Sequence, residues 1–269
     1  MKALLQTFLV VITIVCFLPG VSAQIYPTQE APVPCLNKKF SIVAHVVRDS
    51  MGNLNMNVAD IADQVNQVNQ YFSRICASFE VCEVRIIDNF QYDVLENDGE
   101  WQEALIKYHQ PYRINLFYVT GSLVATEVEE CGFATPSGIQ ETQTGGIITV
   151  KDCTNAQVLA HQLGHYFGLL HTFENRNELV NGTNCDTAGD MICDTPADPY
   201  IPGTPMQLYL DRMVQCRFNG AQTDANGEFY RPDVGNLMSF YPDDCRCGFT
   251  RLQLVKMAQT YLDAVEKMW

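Results

Sequence analysis

Between Thr154 and Phe173 the chain sets His161, His165 and His171 in the spacing H-x-x-x-H-x-x-G-x-x-H, with Gly168 between the last two. Residues four apart on a helix share one face, about one turn of rise apart, so His161 and His165 can reach one ion. Gly168 is suited to end that helix in a left-handed conformation, letting the chain swing away and bring His171 back from outside. Three imidazoles with a fourth position left open is the arrangement of a catalytic zinc, whereas structural zinc takes four protein ligands. Only five histidines occur in the chain, and three of them fall in these eleven residues. The stretch therefore prescribes a helix, a glycine turn and a zinc ion between them.

The first 23 residues carry a positive charge at Lys2, an apolar run from Ala3 to Leu18 and Val21-Ser22-Ala23 before Gln24. That is the pattern of a secretory signal with its cleavage site, too short and wrongly flanked for a membrane anchor. Residues 24–39 follow as a short leader, and 40–269 as the folded part. Of the 17 Lys and Arg only Lys2 lies in the signal, leaving 16 against 31 acidic residues, a net charge of −15. Such a balance disfavours nucleic acid and anionic membrane as partners. Ten cysteines beyond Cys16, in an exported chain, predict up to five disulfides whose pairing the sequence leaves open. Cys35, in the leader, is expected in one of them rather than on the zinc.

Phe40 to Val47 reads as a buried strand, with His45 packed rather than ligating. Val58, Ile61, Val65, Val68, Phe72 and Ile75 recur at helical steps, an amphipathic helix on a sheet. Val84–Phe90, Arg113–Val119 and Gly146–Val150 read as strands, with a short helical patch at Trp101–Tyr108. Thr154 and Gln157 have capping-box spacing for the zinc helix, and Thr250 with Gln253 for a final helix carrying Leu254, Met257, Tyr261, Leu262 and Val265.

The segment HQLGHYFGLLHTF resembles the metzincin metallopeptidases, and most of all the pappalysin family, whose version reads H-E-x-G-H-x-x-G-L-x-H-T-F. Further matches are CGFATPSG from Cys131 to Gly138, the C-D-T-P element within Cys185–Pro199, and Asn236-Leu237-Met238-Ser239-Phe240, the position of the family's N-x-M-x-Y Met-turn. The resemblance implies an α+β fold. A twisted mixed sheet with two helices forms an upper subdomain (40–168), and an irregular, disulfide-rich lower subdomain (169–269) ends in a helix. It implies peptide-bond hydrolysis at the zinc, Met238 as an apolar floor, and an edge strand that takes an extended peptide by strand addition. Asp186, Asp190, Asp194 and Asp198 offer the hard oxygens that calcium takes, and relatives hold calcium near this element.

Two positions depart from the family. Its general base, a glutamate, is Gln162 here, an amide with no carboxylate to protonate. Its oxyanion-binding tyrosine is Phe240, and Tyr241 one place along would most simply point elsewhere. With every ligand kept and two catalytic groups lost, the chain reads as a secreted, zinc-binding homologue with impaired hydrolysis, retained to bind a peptide or protein. The competing readings are an active metalloendopeptidase with a substitute base, and a protease inactivated by an engineered Glu-to-Gln change. Phe240 speaks against the last, because one engineered change would leave the tyrosine.

Overall fold

The computed structural model describes residues 32–54, 56–123, 131–135, 145–211 and 213–264. The expected signal segment lies outside them, as do half of the leader (24–31), residues 136–138 of the CGFATPSG stretch and Val265. A run such as Phe40–Val47 has no polar face, so it can sit only where both sides of a strand are covered. Accordingly β1 (Lys38–Val47) lies inside a five-stranded sheet of order β2-β1-β4-β7-β6, with β2 at Ala77–Ile87, β4 at Ile114–Val119, β6 at Gly132–Thr135 and β7 at Gly146–Val150. Pairings are parallel except β6 with β7, which is antiparallel and leaves β6 at the edge. Two short strands, β3 (Val94–Leu95) and β5 (Gly121–Ser122), pair separately.

Strand alternation divides the side chains between two cores. Phe40, Ile42, Ala44, Val46, Ile114, Leu116 and Tyr118 face α1 (Val58–Phe72), α3 (Ala156–Tyr166) and α4 (Arg251–Asp263). Val47, Phe117, Val119 and Ile148 face α2 (Asp98–Tyr108) through Trp101 and Leu105. Each of these side chains contributes roughly 1.5–3 kcal/mol by leaving water. The cost of laying parallel strands through the interior is met from both faces. His45 is fully buried, with Nε2 3.0 Å from Asn115 Oδ1 and its ring 4.4 Å from that of Phe117. Burial pushes its pKa down to about 4, so it is a neutral core histidine, as expected.

Three boundaries differ from expectation. The strand expected at Val84–Phe90 begins at Ala77 and ends at Ile87. Its first half alternates Phe79 inward with charged Glu80, which is how an edge strand reads, while Phe90 enters a 3-10 turn. The helical patch near Trp101 is a full helix because Asn97 caps it and Asp98 and Glu100 load its first turn. The zinc helix is capped by Asn155, whose side chain accepts from Val158 N at 2.8 Å, and not by Thr154, which bonds back to Lys151 O. The capping box of Thr250 and Gln253 on α4 forms as predicted. On that helix Leu254 and Met257 are buried and Tyr261 packs on Phe40, but Leu262 is exposed.

Disulfides join Cys35 to Cys76, Cys131 to Cys153, Cys185 to Cys193 and Cys216 to Cys245. Cys82 and Cys247 are unpaired, so four of the five possible bridges form and Cys35 is no zinc ligand. Between Leu169 and Gly248 the backbone runs through turns and isolated bridges over a small aromatic core of Phe173, Tyr200, Tyr209 and Tyr241. No helix among the described residues is long and apolar enough to cross a membrane.

Candidate metal centre

Helix α3 delivers His161 and His165 one turn apart and then stops. Gly168 takes φ +85°, its N–H bonds His165 O at 2.8 Å, and Leu169 N–H reaches back to Gly164 O at 3.0 Å. These two bonds form a Schellman cap, which needs a residue free of a Cβ at the left-handed position. The chain reverses there and presents His171 to the other two rings. The Nε2 atoms of His161 and His171 lie 3.0 Å and 3.1 Å from His165 Nε2.

The opposite ring nitrogens decide what those atoms can do. His161 Nδ1 is 2.6 Å from Leu237 O, His165 Nδ1 2.9 Å from Leu169 O, and His171 Nδ1 2.6 Å from Glu174 Oε2. A carbonyl oxygen only accepts, as does an ionised carboxylate, so each Nδ1 carries the proton and each Nε2 a lone pair. The His171 bond holds the Glu174 carboxyl below its ordinary pKa. Three lone pairs converging within hydrogen-bond distance repel one another unless a cation lies among them. A tetrahedral ion about 2.0–2.1 Å from each nitrogen sets neighbouring nitrogens roughly 3.3 Å apart, close to this spacing. The residues therefore fit zinc, and among the described residues this is the one group of His, Cys, Asp or Glu gathered closely enough to hold a metal.

Aromatic rings fix the third ligand. Phe173 stacks on His171 at 5.0 Å, and Phe240 meets it edge-on at 4.6 Å. Phe240 thus sits over the centre without a hydroxyl. Tyr241 turns away: its hydroxyl donates to Asp198 Oδ1 at 3.0 Å, and burial with that carboxylate drives its pKa upward.

Met238 is fully buried against the zinc helix at Gly164, and its position explains that glycine. A Cβ at Gly164 would overlap Met238 Sδ and come 3.3 Å from the Phe249 ring. Gly164→Ala is expected to destabilise the fold by about 1–3 kcal/mol through this overpacking. Thermal unfolding of the metal-free protein checks it, and an unchanged midpoint would place the methionine elsewhere. The turn itself is held by Asn236, whose Oδ1 accepts from Met238 N at 2.9 Å and whose Nδ2 donates to Gln253 Oε1 at 3.1 Å. Gln253 in turn donates to Asp190 Oδ2 at 2.9 Å.

The aspartates of the calcium expectation share in such bonds. Asp190 also accepts from Thr195 and Ile192 N; Asp194 accepts from Thr250 Oγ1 and Leu252 N at the start of α4. Asp198 accepts from Thr172, Tyr200 N and Tyr241, and Asp186 is exposed. The four carboxylates serve separate hydrogen-bond networks and do not converge on one ion. Physically, the C-D-T-P element is a fastener between the Met-turn and the last helix.

Gln162 lies beside His161, 2% exposed, with its amide against the edge strand: a Cβ on Gly132 would come 3.3 Å from its Cδ. Next to it opens a cleft of about 340 Å³ lined by His161, Gln162, Tyr200, Phe240, Asp243 and Arg246. The motif reading missed Glu174, Tyr200, Asp243 and Arg246. The three-residue offsets of Glu174 from His171 and of Arg246 from Asp243 were the available signals, and neither is specific.

The family profile of Reprolysin_5, metallo-peptidase family M12, matches residues 42–209. An extracellular metalloprotease of Aspergillus fumigatus is 33% identical over 122 residues, 44% of this chain and 31% of that protein. Human pappalysin-1 is 26% identical over 180 residues, 61% of this chain and 10% of that protein. The chain thus spans about a third or less of the length of these relatives. Among solved structures, mature mirolysin of Tannerella forsythia in complex with a cleaved peptide superimposes with a TM-score of 0.56 at 14% identity, over 86% of this chain and 93% of that one. That likeness is one of fold.

Proposed function

The chain belongs to metallopeptidase family M12, and we propose that it is a secreted member that binds zinc and holds a peptide or protein in its cleft, with hydrolysis impaired at Gln162 and Phe240. The observation that carries this reading is the buried amide of Gln162, set against the edge strand at Gly132 and lining one cleft with His161. When bound, zinc supplies Lewis acidity and lowers the pKa of a coordinated water. The proton from that water needs an acceptor beside it, and an amide can orient a water but cannot take its proton. Phe240 fills the place of an oxyanion donor with a ring that has no hydrogen to give.

Binding has its own support. Strand β6 is paired on one side only, so its outer edge can accept an extended peptide as a further strand running past the centre. The active-enzyme alternative needs a carboxylate in the cleft. Asp243 is the one carboxylate among the described lining residues, and it is bound to Arg246 and to Asn155 Nδ2. Its occupied lone pairs disfavour it as a base. Secretion is supported by the N-terminal segment, by four disulfides and by relatives described as extracellular.

The test is to incubate the zinc-loaded protein with a mixed peptide library and identify what stays bound by mass spectrometry. Peptides recovered intact are expected. Recovery of cleavage products, absent with His165→Ala, would overturn the impaired reading in favour of an active enzyme.

A further inference from the structure

We infer that Arg246 is a positioning residue for the metal centre: it clamps the Met-turn carbonyls against which His161 is oriented. A buried guanidinium is costly unless its donors are engaged; the Arg246 side chain is only 7% exposed, and its two Nη atoms carry the contacts while Nε has no partner. Its Nη1 donates to Leu237 O at 3.3 Å and to Ser239 O at 3.1 Å, so it spans both carbonyls flanking Met238. Its Nη2 pairs with the Asp243 carboxylate.

Two of these contacts lead to His161. Leu237 O is the oxygen that takes the His161 Nδ1 proton, at 2.6 Å. A carbonyl oxygen can accept twice, and Arg246 Nη1 also lies 3.4 Å from His161 Nδ1 itself. On the other side, Asp243 Oδ2 accepts from Asn155 Nδ2 at 2.6 Å, and Asn155 caps α3, the helix that carries His161. One planar fork therefore joins the start of the zinc helix to the turn beneath it, with His161 between. A lysine has the charge but not the fork, and a methionine has neither. Partners that orient a ligand in this way usually set metal affinity by one to two orders of magnitude.

This inference rests on the reading that the three histidines hold zinc. Its test compares the full chain with Arg246→Met, Arg246→Lys, Asp243→Asn and, as a destabilised control whose bonds go to Thr250 and Leu252 rather than to this network, Asp194→Ala. Zinc affinity is measured by competition with a chromophoric chelator, and ligand geometry by the visible absorption of the cobalt form. Arg246→Met is expected to weaken zinc about 10–100-fold and shift the cobalt bands, Arg246→Lys and Asp243→Asn to do so less, and Asp194→Ala to keep affinity within about twofold despite a lower melting point. Asp243→Asn keeps the test readable if Arg246→Met does not fold. Unchanged affinity and spectrum in the Arg246 and Asp243 variants, or an equal loss in Asp194→Ala, overturns the positioning role. A wild-type protein that binds no zinc overturns the histidine reading itself.

Discussion

Gln162→Glu is expected to turn the zinc-loaded protein into a peptidase, raising hydrolysis of quenched-fluorescence peptides by about 10²–10⁴-fold over the wild type. The exchange is isosteric, so the side chain keeps its place beside His161 and against Gly132. What changes is basicity: a carboxylate takes the proton of the attacking water and returns it to the leaving amine. Adding Phe240→Tyr supplies an oxyanion donor, worth on the order of 2.7–4 kcal/mol where such a donor is aligned. The double variant is therefore expected to exceed the single one. Wild-type protein that already hydrolyses peptides as fast as Gln162→Glu would mean that the base lies elsewhere in the cleft. A Gln162→Glu protein that binds zinc and peptide yet stays inert would mean that the cleft no longer aligns a scissile bond.

Alkaline loss of stability is the second large effect, and it comes from Glu178. This residue is 5% exposed, and one of its carboxylate oxygens has no hydrogen-bond partner. A Cβ at Gly189 would overlap it. Burial first, then the charges of Asp190 and Asp198, push its carboxyl up to about 8. A folded-state pKa above the unfolded one means that folding holds the proton. The associated stability is complete below the ordinary carboxylate range and is lost as pH rises towards 8. Asp190, pushed by burial up to about 6, has completed its part of the loss by then. His45, pushed down, works in the opposite direction and only below 6.5.

Between pH 6.5 and 8 the loss comes from Glu178 together with Asp198, whose carboxyl burial also raises. At about 1.4 kcal/mol per pH unit, the share of Glu178 across this window is about 2 kcal/mol. For a domain of this size that lowers the melting point by roughly 4–8 °C. Calorimetry in EDTA, which keeps cations from neutralising the carboxylates, measures it. Glu178→Gln is expected to flatten the profile, and a wild-type midpoint that holds steady from pH 6.5 to 8 would show that this carboxyl is already charged in the folded state.

The metal centre was readable in the sequence because its chemistry is local. Four-residue spacing on a helix fixes the relation of His161 to His165, and Gly168 fixes the reversal that returns His171. The same holds for β1 and β4, whose unbroken apolar runs can only be interior strands, and for the capping box of Thr250 and Gln253. Half-exposed β2 was misjudged by seven residues at its start, since an edge strand carries charge on the very positions that mark a strand elsewhere. The helix cap at Asn155 was missed by one residue, because Thr154 offers an equally good pattern.

What the sequence by itself determined, then, was the spacing that gathers His161, His165 and His171, and the α+β class. Only the tertiary structure decided what the polar residues far along the chain do. Asp190, Asp194 and Asp198 look like cation ligands in a line of text, yet each spends its lone pairs on a different neighbour up to 63 residues away. Arg246 has no motif around it, and its meaning lies in sharing one carbonyl oxygen with His161, 85 residues earlier. Spacing along a helix or strand is written in sequence because backbone geometry is periodic. Hydrogen-bond partners across the core are not, because they depend on which surfaces meet when those elements pack.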